Sequence, residues 1–181
     1  AALLFLGSYY FWLQRSYILC GLFFGCSALT DYGALMVFPF LFVATFWRER
    51  NWRPLAFISI GAFPTALVWA WYHTVAFGGP LTLPMRFYNP AVKEGSDGDS
   101  PTFLPSFPVL MRLLFGPERG ILYTQPWILI SFLCLLGKSK LARGSGILLI
   151  GGLAGLLWMN ASVDAWHAGM VLGPRYLSLI F

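Results

Sequence analysis

Residues 54–77 read PLAFISIGAFPTALVWAWYHTVAF, and the fold turns on this stretch. It contains no Asp, Glu, Lys or Arg. As a helix rising about 1.5 Å per residue it is long enough to cross a hydrocarbon core about 30 Å thick. Pro64 predicts a kink, because it removes a backbone donor and crowds the preceding turn. Trp69, Trp71, Tyr72 and His73 gather at the far end as an aromatic belt. The near end carries Arg48, Arg50 and Arg53, whose cations stop the apolar run.

Composition extends this reading to the whole chain. The 181 residues are 58% hydrophobic and 10% charged, with a mean hydropathy of +0.70, far from a soluble domain. A compact soluble core of this size cannot hide so much apolar surface. The expectation is an all-α, polytopic transmembrane helical bundle with a long external loop, a single domain over 1–181. The net charge of +5 comes largely from two short clusters, Arg48-Arg50-Arg53 and Lys138-Lys140-Arg143. Such clusters read as cytoplasmic topology signals, not as a nucleic-acid footprint. Cys20, Cys26 and Cys134 lie in apolar runs without paired spacing, so they read as buried thiols and no metal site is expected.

Upstream of the basic cluster, residues 1–13 form the end of a first span, closed by Gln14 and Arg15. The apolar run 17–47 is broken only at Thr30-Asp31-Tyr32-Gly33. At roughly 46 Å as one helix it is too short for two full crossings. With Arg15 and the Arg48 loop on one side of the membrane, it must be two short helices, 17–29 and 32–47. Asp31 then has two readings: an ionisable functional group in the membrane zone, or a cap whose carboxylate accepts backbone N–H groups of the second helix.

Downstream, residues 77–118 form the long polar loop, with Glu94, Asp97 and Asp99 among Gly and Ser. Carboxylates so spaced can hold a divalent cation, although the full calcium-loop pattern is missing. Residues 106–115 predict a short amphipathic helix along the interface. Further spans are expected at 119–137, 144–160 and 175–181, and Gly151 and Gly155 form a GxxxG pair suited to close helix packing. The chain opens and closes inside apolar runs and lacks an initiator Met, so it reads as an internal piece of a longer protein. With the basic loops cytoplasmic, Asp97, Asp99, Glu118, Arg119, Asp164, His167 and Arg175 share the external face. Arg86, Arg112, Arg119 and Arg175 lie near that interface, where a guanidinium either snorkels to water or binds a phosphate. Arg119 and Arg175 each follow a Gly-Pro turn, which orients them.

Three segments carry a resemblance. Phe77-Gly78-Gly79-Pro80 is similar to the turn that opens the external loop of many bacterial polytopic glycosyltransferases. Residues 114–123, LFGPERGILY, with Pro126 beyond, look like their LFsp-RGL-yysP segment. Residues 166–177, WHAGMVLGPRYL, resemble their W-x-GG…GpRYL segment. Together, and in this order, they resemble the GT-C type membrane glycosyltransferases related to dolichyl-phosphate-mannose protein mannosyltransferases.

The resemblance implies transfer of a sugar from a polyprenyl-phosphate-linked donor to a glycan, lipid or protein acceptor at the external face of a bacterial plasma membrane. It implies basic residues near later span entrances as phosphate contacts. Arg119 and Arg175 match those motif positions and are read as the phosphate clamps, with Tyr176, His167, Trp166 and Glu118 as the further substrate-binding candidates. His167 stands where the family commonly has a glycine. The family's catalytic carboxylate is expected upstream of Ala1; within this chain the weak candidates are Asp97, Asp99 and Asp31. The only cofactor to consider is a divalent cation. The competing reading is a transporter or flippase of lipid-linked sugars, or a non-catalytic membrane subunit. Its support is the helix break at Asp31 and the proline at position 64, since discontinuous helices mark transport sites.

Overall fold

The computed structural model describes residues 1–82, 105–116, 120–121 and 140–162. All regular elements among these are helical. They are α1 (Ala2–Leu13), α2 (Tyr17–Thr30), a 3-10 helix (Tyr32–Val37), α3 (Phe38–Glu49), α4 (Arg53–Phe77), α5 (Phe107–Phe115) and α6 (Lys140–Ala161). Two of them, α4 and the Gly144–Ala161 part of α6, are long and apolar enough to cross a membrane.

Local chemistry explains the element ends. Pro54 occupies the first turn of α4, where its missing N–H costs nothing. Gly78 ends α4 in the left-handed conformation, with φ of 77°, which a glycine adopts without strain. Pro64 lies inside an unbroken α4. At Asp31 the chain turns extended, and the carboxylate Oδ1 accepts the Gly33 N–H at 2.8 Å, capping the 3-10 helix. The expected boundary at Arg48 shifts, because α3 continues through Arg48 to Glu49. Likewise α6 begins at Lys140, within the stretch assigned to the basic loop. Hydropathy locates only the apolar part of a helix, whereas Lys, Leu, Ala and Arg are good helix formers that prolong it.

The helices meet through small residues. α1 and α2 form an antiparallel hairpin, and Ser8 Oγ donates to the Cys20 carbonyl across it at 3.0 Å. α2 then runs parallel to α4. A side chain at Gly21 would strike the Ile58 carbonyl, one at Gly61 the Ile18 carbonyl, and one at Gly25 the Thr65 hydroxyl. These glycines therefore bring the two backbones into direct contact. On the other flank α3 packs antiparallel to α6. Gly144 faces Trp12 and the Ala44 carbonyl, Gly151 faces the Phe40 ring, and Gly155 faces Met36 and Phe40. α5 lies near the end of α6, where the Ser106 N–H donates to the Ala161 carbonyl at 2.8 Å.

One end of the fold is polar. Arg48 donates to the carbonyls of Trp12 at 2.8 Å and Leu13 at 3.1 Å, and its guanidinium lies 4.7 Å from the Trp12 ring centroid. Glu49 Oε1 receives the Tyr17 hydroxyl at 2.7 Å and pairs with Arg15 at 3.4 Å and Arg48 at 3.3 Å. Trp12 Nε1 donates to Thr45 Oγ1 at 2.9 Å, and Tyr9 donates to Ser145 at the same distance. These contacts place the turns 14–16 and 50–52 and the start of α6 at one end. The run 17–49 leaves that end and returns to it. It is made of α2, the 3-10 helix and α3, and α2 alone reaches only about 21 Å.

Candidate functional site

A concavity among the described residues lies between α2, α4 and the start of α3. It holds about 210 Å³ and is lined by Phe24, Gly25, Ala28 and Leu29 of α2, by Leu35 and Phe38, and by Ala62, Thr65, Ala66 and Trp69 of α4. The groove exists because of composition. Gly25 on α2 and Ala62 and Ala66 on α4 leave space that larger side chains would fill, while Phe24, Phe38 and Trp69 form its walls. It occupies the half of the helical layer away from the arginine-rich end. Leu29 and Leu35 bracket Asp31 in the chain, so the helix break stands at its rim.

The lining is almost wholly apolar. Its one hydroxyl, on Thr65, donates to the Ala62 carbonyl at 2.7 Å and is thereby occupied. At this volume the groove is smaller than a pocket for a whole drug-sized molecule, roughly 300–1,000 Å³. It suits a stretch of hydrocarbon chain. Among the described residues its walls carry no titratable group.

Above the groove, α4 carries an aromatic column at four-residue spacing. The Trp69 and His73 rings stack with centroids 3.9 Å apart, and His73 lies 5.1 Å from Phe77. His73 is fully buried. Its Nδ1 lies 2.9 Å from the Thr82 carbonyl. A carbonyl only accepts, so this nitrogen carries the proton. The bond ties the segment after α4 back onto the helix. His73 thus stands inside the aromatic belt, with the half-exposed Tyr72 ring edge-on to His73 and Phe77 at 5.8 Å and Trp71 exposed.

Of the candidate residues, Asp31 is the one that the described structure places. Its carboxylate is engaged as a cap, which gives a direct test. Asp31→Asn keeps a side-chain oxygen for the Gly33 N–H and should leave stability within about 0.5 kcal/mol, whereas Asp31→Ala should cost about 1 kcal/mol. Thermal unfolding in detergent measures both. A full loss of function in the folded Asn variant would instead make the charge itself essential.

The remaining candidates, Asp97, Asp99, Glu118, Arg119, Trp166, His167, Arg175 and Tyr176, lie outside the described residues, as do Arg86, Glu94 and Cys134. Arg112 is exposed on α5. Among the described residues, no group of three or more His, Cys, Asp or Glu side chains could hold a metal ion. Sequence reading did not find the groove, because it depends on which helices meet. The signal available was Gly21-x-x-x-Gly25, a small-residue pair on α2 equivalent to the one noted at 151 and 155. No family model, curated protein or solved structure matches this chain.

Proposed function

We propose that this chain is part of a multi-pass protein of the bacterial plasma membrane. In this reading it transfers a sugar from a polyprenyl-phosphate-linked donor to an acceptor at the external face, opposite the arginine-rich end. The apolar groove of α2 and α4 carries the proposal. It offers a hydrocarbon-sized slot in the half of the layer facing that side. The three sequence segments at 77–80, 114–123 and 166–177 add to it, as does the exposed apolar surface of α4, including Ile60, Phe63, Leu67 and Val68.

The division of labour follows from the chemistry. A lipid-phosphate sugar carries its own leaving group. The protein has to hold the tail, neutralise the phosphate and deprotonate an acceptor hydroxyl. The groove meets the first need. Arg119 and Arg175 are assigned to the second, and the third falls to a carboxylate.

The test is to fill the slot. In the intact protein, Ala66→Trp should weaken binding of the lipid-linked donor at least about tenfold, equivalent to about 1.4 kcal/mol. Because Ala66 is exposed, the unfolding midpoint should hold. Unchanged donor affinity in a folded Ala66→Trp protein would remove the groove from the donor site. The helix break at Asp31 supports a second reading, a flippase of the same lipid class. Appearance of a glycosylated acceptor, as opposed to translocated donor alone, separates the two.

A further inference from the structure

The turn from α3 to α4 ends the polar network on an open, cationic and aromatic edge. Glu49 is taken up by Tyr17, Arg15 and Arg48. Beyond it Arg50 and Arg53 are exposed, and neither has an acidic partner among the described residues. Arg50 adopts φ of 54°, a left-handed conformation that non-glycine residues seldom take. Its guanidinium lies 4.7 Å from the Trp47 ring centroid, so the ring fixes where the charge sits. The Arg53 N–H donates to Asn51 Oδ1 at 3.1 Å, which orders the turn between the two arginines. Phe46, Trp47 and Trp52 stand exposed on the same edge, Trp52 at 68%.

This edge is set at a definite depth. α4 begins at Arg53 and continues as the long apolar helix, so position 53 marks where hydrocarbon would give way to headgroups. Indole rings favour that level because one end is apolar and the other carries a hydrogen-bond donor. Two guanidiniums with no acidic partner among the described residues, beside exposed indoles, match a lipid phosphate better than a soluble anion, which has no use for the apolar surface.

We propose that Trp47, Arg50, Trp52 and Arg53 form a binding site for the headgroup of an anionic phospholipid in the leaflet facing the arginine-rich end. Phosphatidylglycerol brings an uncompensated negative charge to this edge. Phosphatidylcholine brings its own cation and gains less.

The experiment titrates the intact protein in detergent with phosphatidylglycerol and, in parallel, phosphatidylcholine, and reads bound lipid by native mass spectrometry. The unaltered protein should bind phosphatidylglycerol preferentially. Arg50→Gln should weaken that binding about fivefold and Arg50→Gln/Arg53→Gln roughly twentyfold, with phosphatidylcholine little changed, as expected for basic residues near an anionic surface. Equal affinity of the unaltered protein for the two lipids would overturn the proposal. So would unchanged phosphatidylglycerol affinity in a double variant of native helicity.

Discussion

A leucine at position 21 should separate α2 from α4 and cost the protein more than about 3 kcal/mol of stability, the upper end for overpacking a core. The reason is geometric. At this crossing no side chain lies between the helices, because a Cβ on Gly21 would meet the Ile58 carbonyl and one on Gly61 the Ile18 carbonyl. A flexible side chain can swing away from an added atom, but a backbone carbonyl in mid-helix cannot move without its helix. In the proposed membrane setting the association also lacks a hydrophobic driving force, so there it rests on close packing and weak Cα–H···O contacts. Pushing the helices apart removes both. Even Gly21→Ala should destabilise measurably. Gly21→Ala combined with Gly61→Ala should cost less than the sum, since both widen one crossing. Ile60→Ala, on the exposed face of α4, serves as the neutral comparison. Thermal midpoints and the monodisperse fraction in detergent measure the series. A Gly21→Leu protein with the parental midpoint would show that these backbones do not touch.

The groove depends on the same crossing. Gly25 lies one turn beyond Gly21, and its missing side chain both admits Thr65 and opens the slot toward Ala62 and Trp69. A substitution that parts α2 and α4 therefore alters the site as well as the fold. For this reason Ala66, which touches only the mouth, is the cleaner probe of lipid binding.

How far this was legible in the sequence depends on range. The limits of α4 could be read because their causes are local: Pro54 in the first turn, Gly78 at the end and no charge between. The break at Asp31 was legible from chain length against bilayer thickness, and the side chain takes the capping alternative. The GxxxG pair at 151 and 155 pointed to close packing, and those glycines do lie against Phe40 and Met36. Pairings between distant segments were not legible. Nothing in a single sequence states that Gly21 meets Ile58, that Trp12 donates to Thr45, or that Arg48 reaches back to the end of α1. Of the candidate site only Asp31 can be compared, because the other acids and arginines lie outside the described residues. Arg48 was assigned to a topology signal because charge counting treats every cation in a basic cluster alike. Burial distinguishes it from Arg50 and Arg53.

That distinction sets the second large effect. Arg48→Met should destabilise by about 3 kcal/mol, the scale for breaking a buried ion pair. The side chain is only 9% exposed, against 65% for Arg15. It donates to two carbonyls at the end of α1, of which that of Trp12 also accepts the Arg15 N–H at 3.2 Å, and it lies over the Trp12 ring. Removing it takes the side-chain donor from the Leu13 carbonyl and one of the two cations from Glu49 at once. Arg48→Lys should recover less than half of the loss. A compact ammonium cannot serve both carbonyls and cover the indole as a planar fork does. Glu49→Gln should be milder, about 1 kcal/mol, because the amide oxygen still accepts from Tyr17. The double variant Arg48→Met/Glu49→Gln decides how the network is built. If Arg48 and Glu49 act as one unit, its cost should fall short of the sum by about 1 kcal/mol, since the carboxylate no longer needs the arginine. Strict additivity in unfolding midpoints would mean that Arg48 works through the α1 carbonyls alone, with the ion pair contributing nothing.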